Sequence, residues 1–133
     1  MEIPIQVQDF LPGKLAWVAT ASSTGEPNVT PKGSLKLLDP QHVVFADLFS
    51  RKTRQNLLEN KRVAVTVADP STGKGYQLKG TAELVESGQV FEDTSRHVQQ
   101  LQKGLPAPRY VVKITVDAVF DQSAGPEPGK QIA

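Results

Sequence analysis

Between Tyr76 and Val85 the chain switches character at every residue. Tyr76, Leu78, Gly80, Ala82 and Leu84 fall on one side; Gln77, Lys79, Thr81 and Glu83 fall on the other. A period of two belongs to a strand with one buried face, since a helix would repeat near 3.6 residues. The pattern returns twice. Tyr110, Val112, Ile114, Val116 and Ala118 alternate with more polar neighbours between Tyr110 and Phe120, and Val63, Val65 and Val67 face one way between Lys61 and Asp69. Leu15 to Ala21 is largely apolar on both sides, which predicts a strand covered on two faces. Val43 to Leu48 reads as a fifth strand. Asn28 to Leu38 reads as a sixth, interrupted by Pro31 and Gly33. Proline cannot donate to a sheet ladder, so it marks an edge, a bulge or a functional kink.

Turn-rich segments separate these runs, at Ser22 to Pro27, Asp39 to His42 and Pro70 to Gly75. Six strands joined mostly by short turns favour antiparallel pairing. Burial on both faces favours closure into a barrel, which also removes exposed edges. Helices are few. One short helix precedes Leu11-Pro12-Gly13. A second covers Ser50 to Asn60, with Ser50 as candidate N-cap and Leu57 and Leu58 as its apolar contact. A third covers Gln89 to Gln102, with Val90, Phe91, Thr94, Val98 and Leu101 on one stripe. The tail from about residue 122 is rich in Gly and Pro and is expected to be flexible.

The chain's 133 residues make one domain, 1–133, able to bury a core without staples. It has no cysteine, which excludes disulfides, zinc–thiolate sites, iron–sulfur clusters and thiol nucleophiles. Fifteen basic residues stand against 14 acidic ones. A protein that coats nucleic acid or an anionic membrane carries a clear basic excess, so any anion site here must be local. Met1 to Ile5 lacks the pattern of a signal peptide, and no stretch approaches the roughly 18 apolar residues of a membrane span. The expected location is cytoplasmic.

Ser50-Arg51-Lys52-Thr53 is the local anion site that stands out. A strand gives way to a helix there, and a helix start offers unpaired N–H groups and a partial positive charge. Two cations in a first turn are unfavourable for the helix by itself, and a bound phosphate resolves that conflict. A solvated basic turn is the plain alternative. Pro31-Lys32-Gly33-Ser34-Leu35-Lys36 is poor at pairing and good at letting backbone approach a flat ligand; a bulge or edge strand is the plain reading. Gln77 and Lys79 share a strand face and reach a ligand together, or simply face solvent. Gly73-Lys74-Gly75 lacks the full phosphate-loop pattern and reads as a hairpin turn. His42 and His97, the two histidines, have no metal-ligand spacing.

Phe45-Ala46-Asp47-Leu48-Phe49-Ser50-Arg51-Lys52-Thr53-Arg54-Gln55-Asn56-Leu57, then Glu59-Asn60-Lys61-Arg62-Val63-Ala64-Val65, resembles the signature of the pyridoxamine 5'-phosphate oxidase-like, FMN-binding split-barrel family. Lys61 stands where that signature has proline. Gln77-Leu78-Lys79-Gly80-Thr81-Ala82 is similar to a later strand of the same family, and the order matches over roughly residues 13 to 120. The resemblance implies a mainly β fold, a six-stranded antiparallel split β-barrel with two or three short peripheral helices. It implies FMN as cofactor. Ser50, Arg51, Lys52 and Thr53 would hold the phosphate, with Asn56 supporting the turn. Pro31, Lys32, Gly33, Ser34 and Lys36 would lie along the ring and ribityl chain. Phe45, Ala46 and Asp47 would add contacts from the next strand, and Gln77 would hydrogen-bond the flavin.

The resemblance also implies a homodimer with the cofactor at its interface, and an FMN-dependent oxidoreductase or electron carrier. The oxidases of pyridoxamine phosphate carry a further C-terminal region with arginine and histidine for the vitamin. This chain runs into its Gly/Pro tail soon after Phe120 and looks more like the small FMN-binding proteins and flavin reductase-like members of the superfamily. The same barrel holding deazaflavin F420 or heme is an alternative. A small nucleic-acid-binding barrel, using Phe45 and Phe49 as stacking platforms beside the basic segment, is another. Trp17 is assigned to core or dimer interface rather than to stacking on a cofactor.

Overall fold

The computed structural model describes residues 1–101 and 104–133. Its elements in chain order are α1 (Ile5–Phe10), β1 (Ala16–Ala21), β2 (Pro27–Lys32), β3 (Lys36–Asp39), β4 (His42–Asp47), α2 (Lys52–Glu59), β5 (Arg62–Asp69), β6 (Lys74–Val85), α3 (Gln89–Leu101), β7 (Tyr110–Asp121) and β8 (Lys130–Gln131). Gln102, the expected end of the third helix, lies outside the described residues. The strands form one antiparallel sheet in the order β2-β1-β5-β6-β7-β4-β3, with β8 paired to the end of β7.

The described residues thus hold eight strands, not six. The run from Asn28 to Leu38 divides into β2 and β3 around a turn at Gly33 and Ser34. Pro31 sits on the edge strand β2 opposite Trp17, with no ladder needed on its other side. The eighth strand lies in the tail. Gln131 and Lys130 pair with Phe120 and Asp121, and Ile132 and Ala133 pack against the core.

The sheet is not a closed barrel. β2 and β3 are its two ends, and they adjoin in sequence without a ladder between them among the described residues. It curls all the same, because Val18 of β1, Phe45 of β4, Leu78 of β6 and Ile114 of β7 belong to one buried cluster. Ile3, Val7 of α1 and Leu11 join that cluster. Tyr76 meets Phe10 edge-on, their ring centres 5.2 Å apart.

β1 departs from expectation. Ala16, Val18 and Thr20 are buried, but the opposite face leaves Trp17 45% and Leu15 49% exposed. The outer surface of this part of the sheet is open. α3 instead packs on β4 and β7, where Val44, Ala46 and Val111 are buried outside the main cluster. Thr94 and Val98 of α3 are buried there, whereas Leu101, placed on the same stripe by periodicity, is 55% exposed. On α2, Leu57 enters the core and Leu58 faces solvent. Both exposed leucines extend an apolar pattern past the surface available to cover it.

Candidate functional site

A cleft of about 550 Å³, within the range of small-molecule sites, opens between the end of β2 with the turn after it, the end of β4 with the segment after it, and α3. Thr30, Pro31, Lys32, Gly33 and Ser34 form one wall, and Ala46, Leu48, Phe49 and Ser50 continue β4 past its end. Val98 and Leu101 of α3, with Leu105 beyond it, close the third side. The Ser34 hydroxyl accepts from the Ala46 N–H at 3.1 Å and fastens the β2–β3 turn to β4. The cleft therefore combines a polar floor at Lys32, Ser34 and Ser50 with an apolar wall.

Six of the fourteen residues implied by the resemblance line this cleft: Pro31, Lys32, Gly33, Ser34, Ala46 and Ser50. Lys36 lies beside His97 of α3 instead. Burial, with the nearby Lys36 charge adding, pushes the His97 imidazole below its usual range. Phe45 is fully buried in the core. Its burial also removes one of the two stacking platforms that the nucleic-acid reading required.

The basic turn divides between two cavities. Ser50 faces the main cleft, while Lys52 and Asn56 line a smaller one of about 180 Å³ with Ser22, Glu26 and Glu59. Arg51 occupies the N-cap position of α2, and Ser50 does not cap the helix. Among the described residues no side chain caps α2, so its first-turn N–H groups stay open to a ligand or water. Thr53 and Asn56 are buried and turned inward. Asn28 Nδ2 donates to the Thr53 hydroxyl at 3.2 Å, and Asn56 Nδ2 donates to the Thr20 hydroxyl at 3.0 Å. They pin α2 against β1 and β2 and so aim its first turn.

Asp47 is fully buried beneath the cleft floor. Its Oδ1 accepts from the Ser50 N–H at 2.8 Å and lies 3.6 Å from Lys32 Nζ. Its Oδ2 accepts from the Tyr110 hydroxyl. Burial, then the hydrogen bond to Asp47, raises the Tyr110 phenol far above its ordinary 10.0. Arg109 adds a hydrogen bond from its guanidinium to the Ser50 carbonyl at 2.9 Å.

Gln77 is not brought to the cleft by its own chain. Pro31, Trp17, Thr66, Gln77 and Phe120 follow one another across β2, β1, β5, β6 and β7 in register, on the open outer face. The sequence reading missed Thr30, Leu48, Phe49, Val98, Leu101 and Leu105. Leu101 carried a signal: an apolar stripe that runs one turn beyond the sheet.

The sequence matches the pyridoxamine 5'-phosphate oxidase family over residues 3–123. An uncharacterized protein of Methanocaldococcus jannaschii is 36% identical over 125 residues, covering 92% of this chain and 83% of its own. HupZ of Group A Streptococcus superposes with a TM-score of 0.82 at 28% identity, over 96% of this chain and 99% of HupZ. A Lactobacillus delbrueckii protein assigned to the pyridoxamine 5'-phosphate oxidases gives 0.72 at 25%, over 90% and 93%. Below 20% identity the fold alone is shared, at TM-scores of 0.69 to 0.74, with an FMN-binding protein of Syntrophomonas wolfei, an F420 reductase and the heme storage protein HutZ of Vibrio cholerae. With the match running over nearly the whole chain, and with the split sheet that carries it, this protein belongs to the pyridoxamine 5'-phosphate oxidase family.

Proposed function

We propose that this chain binds FMN in the cleft between β2, the end of β4 and α3 and serves as an FMN-dependent oxidoreductase or electron carrier. The observation that carries the reading is the cleft's two-sided lining. Val98, Leu101, Leu105 and Phe49 suit a flat apolar ring, and Lys32, Ser34 and Ser50 suit its polar edge and phosphate chain. The residues fit the cofactor: the uncapped first turn of α2 offers N–H donors beside Arg51 and Lys52.

FMN, when bound, supplies hydride or electron transfer. The chain positions it. Ser50 and the open N–H groups of the first turn of α2 hold the phosphate, with the Arg51 and Lys52 charges beside them. Lys32 lies along the ring and balances negative charge on its reduced form. Val98 and Leu101 exclude water from one face. The working unit in this reading is a homodimer. Leu15, Trp17 and Val29 form an apolar outer face that a second copy covers, and Gln77 on that face reaches the partner's flavin.

Heme is less suited to this cleft. None of its described lining residues is histidine, cysteine, methionine or tyrosine, and His42 is held by Asp39 at 2.7 Å. Titrating FMN, FAD, F420 and heme into the apo-protein and recording the visible spectrum tests the proposal. Saturable micromolar binding of FMN supports it. Binding of F420 or heme with none of FMN overturns it.

A further inference from the structure

We propose that Asp47 is a positioning residue that acts on the cofactor only through Lys32 and the Ser50 turn. The proposal rests on the flavin reading above. A carboxylate with no solvent contact is costly unless every oxygen is satisfied. Asp47 meets that demand with two hydrogen-bond donors, the Ser50 N–H on Oδ1 and the Tyr110 hydroxyl on Oδ2, and with the Lys32 ammonium as an ion-pair partner 3.6 Å from Oδ1. Lys32 and Ser50 are the two cleft-lining residues with which the flavin reading balances the reduced ring and grips the phosphate. One buried group thus fixes the spacing between the two ends of the site.

The arrangement has an electrostatic consequence. Lys32 Nζ is drawn toward Asp47, and the ammonium also lies 5.7 Å from the centre of the Phe45 ring. Part of its charge is spent on the carboxylate, so less reaches a ligand. Tyr110 acts one step further back. By donating to Oδ2 it takes up part of the Asp47 charge and leaves Lys32 freer.

These relations fix opposite signs. Asp47→Asn keeps the shape and releases Lys32, so the ratio of FMN affinity in its reduced state to that in its oxidised state rises. Lys32→Met lowers that ratio. Tyr110→Phe strengthens the Asp47–Lys32 pair and also lowers it. Because Asp47 reaches the ring only through Lys32, while its hold on the Ser50 turn affects both redox states alike, the effects of Asp47→Asn and Tyr110→Phe on that ratio vanish in a Lys32→Met background.

The experiment measures the midpoint potential and the dissociation constant of FMN-loaded wild type, the three single variants and the two doubles with Lys32→Met. A change of threefold or more in the affinity ratio is expected for each single variant, with no further change in the doubles. A full Asp47→Asn shift that persists beside Lys32→Met overturns the proposal, because it means direct action on the ring. If Asp47→Asn does not fold, Tyr110→Phe with and without Lys32→Met decides alone. Loss of the flavin reading looks different: wild type itself binds no FMN.

Discussion

The phenol of Tyr110 donates to the carboxylate of Asp47 across the β4–β7 ladder, and the two residues are direct register partners with neither reached by solvent. Burial and this bond hold the phenol protonated well above its ordinary value. The raised group contributes stability that is fully present below the unfolded value near 10. That stability is lost above it, as the unfolded chain releases a proton that the folded chain keeps. Unfolding free energy of wild type should therefore fall as pH rises above 10. In Tyr110→Phe the slope should be shallower. Urea titrations at pH 8, 10 and 11 check this, and equal slopes in both proteins would contradict it.

Asn56 and Lys52 separate the duties of the basic turn and the helix it opens. Asn56→Ala removes a donor, leaves the Thr20 hydroxyl unsatisfied in a buried setting and opens space under α2. A loss of about 1–3 kcal/mol follows from the orphaned group. Lys52→Ala touches an exposed side chain and should leave stability within about 0.5 kcal/mol. It should weaken FMN binding, since a charge-assisted hydrogen bond contributes about 1.5–3 kcal/mol. Denaturant midpoints and flavin titrations on both variants check the division. An Asn56→Ala protein of unchanged stability would refute the pinning role.

Much of the sheet is legible because its residues obey one period. The β6 face Tyr76, Leu78, Gly80 and Ala82 is buried as its alternation requires, and the valines of β5 likewise. The cleft's near wall, Pro31 to Ser34, announces itself by putting proline and glycine where a ladder cannot tolerate them. What stays hidden is relational. Nothing in Thr53 or Asn56 says that their partners are Asn28 and Thr20, 25 and 36 residues away in sequence. The α3 wall is hidden for the same reason, since an apolar stripe reads alike whether it meets a sheet or a ligand. The outer face of β1 misled because two apolar faces signal cover without saying whose.

Gly80 faces a tight constraint at the bulge where the β6–β7 register shifts between Lys79 and Gly80. A Cβ placed there would lie 2.1 Å from the Thr115 carbonyl oxygen. That neighbour is backbone in a central ladder and cannot swing aside. Gly80→Ala should cost about 3 kcal/mol or more, through a shift of the strand pair. Gly88→Ala offers a contrast. Nothing lies within 4 Å of its Cβ, but its φ of +94 is strained for alanine, so its cost is backbone strain alone, about 1–2 kcal/mol. Thermal unfolding of the two variants checks the order; a Gly80→Ala protein as stable as wild type would rule out the close approach.

Trp17 sits at the centre of the open face, between Pro31 of β2 and Thr66 of β5 in register. Val29, also exposed, pairs with Ala19 two residues along. An exposed indole surrounded by small and apolar side chains on the outer face of a sheet is the kind of anchor that dominates a protein–protein contact. In the dimer reading, Trp17→Glu places a charge in the middle of a dry interface, where an uncompensated charge costs several kcal/mol. The variant should sediment as a monomer at concentrations where wild type is a dimer, while its far-UV spectrum stays unchanged because no core contact is lost. Gln77 lies on the same row, two strands from Trp17. FMN affinity should therefore fall at least tenfold together with dimerisation, as Gln77 no longer reaches the other subunit's cleft. Gln77→Leu should weaken FMN binding without dissociating the dimer. A wild-type protein that sediments as a monomer rejects the dimer outright. A monomeric Trp17→Glu protein with full FMN affinity rejects the shared site and leaves the cleft complete within one chain.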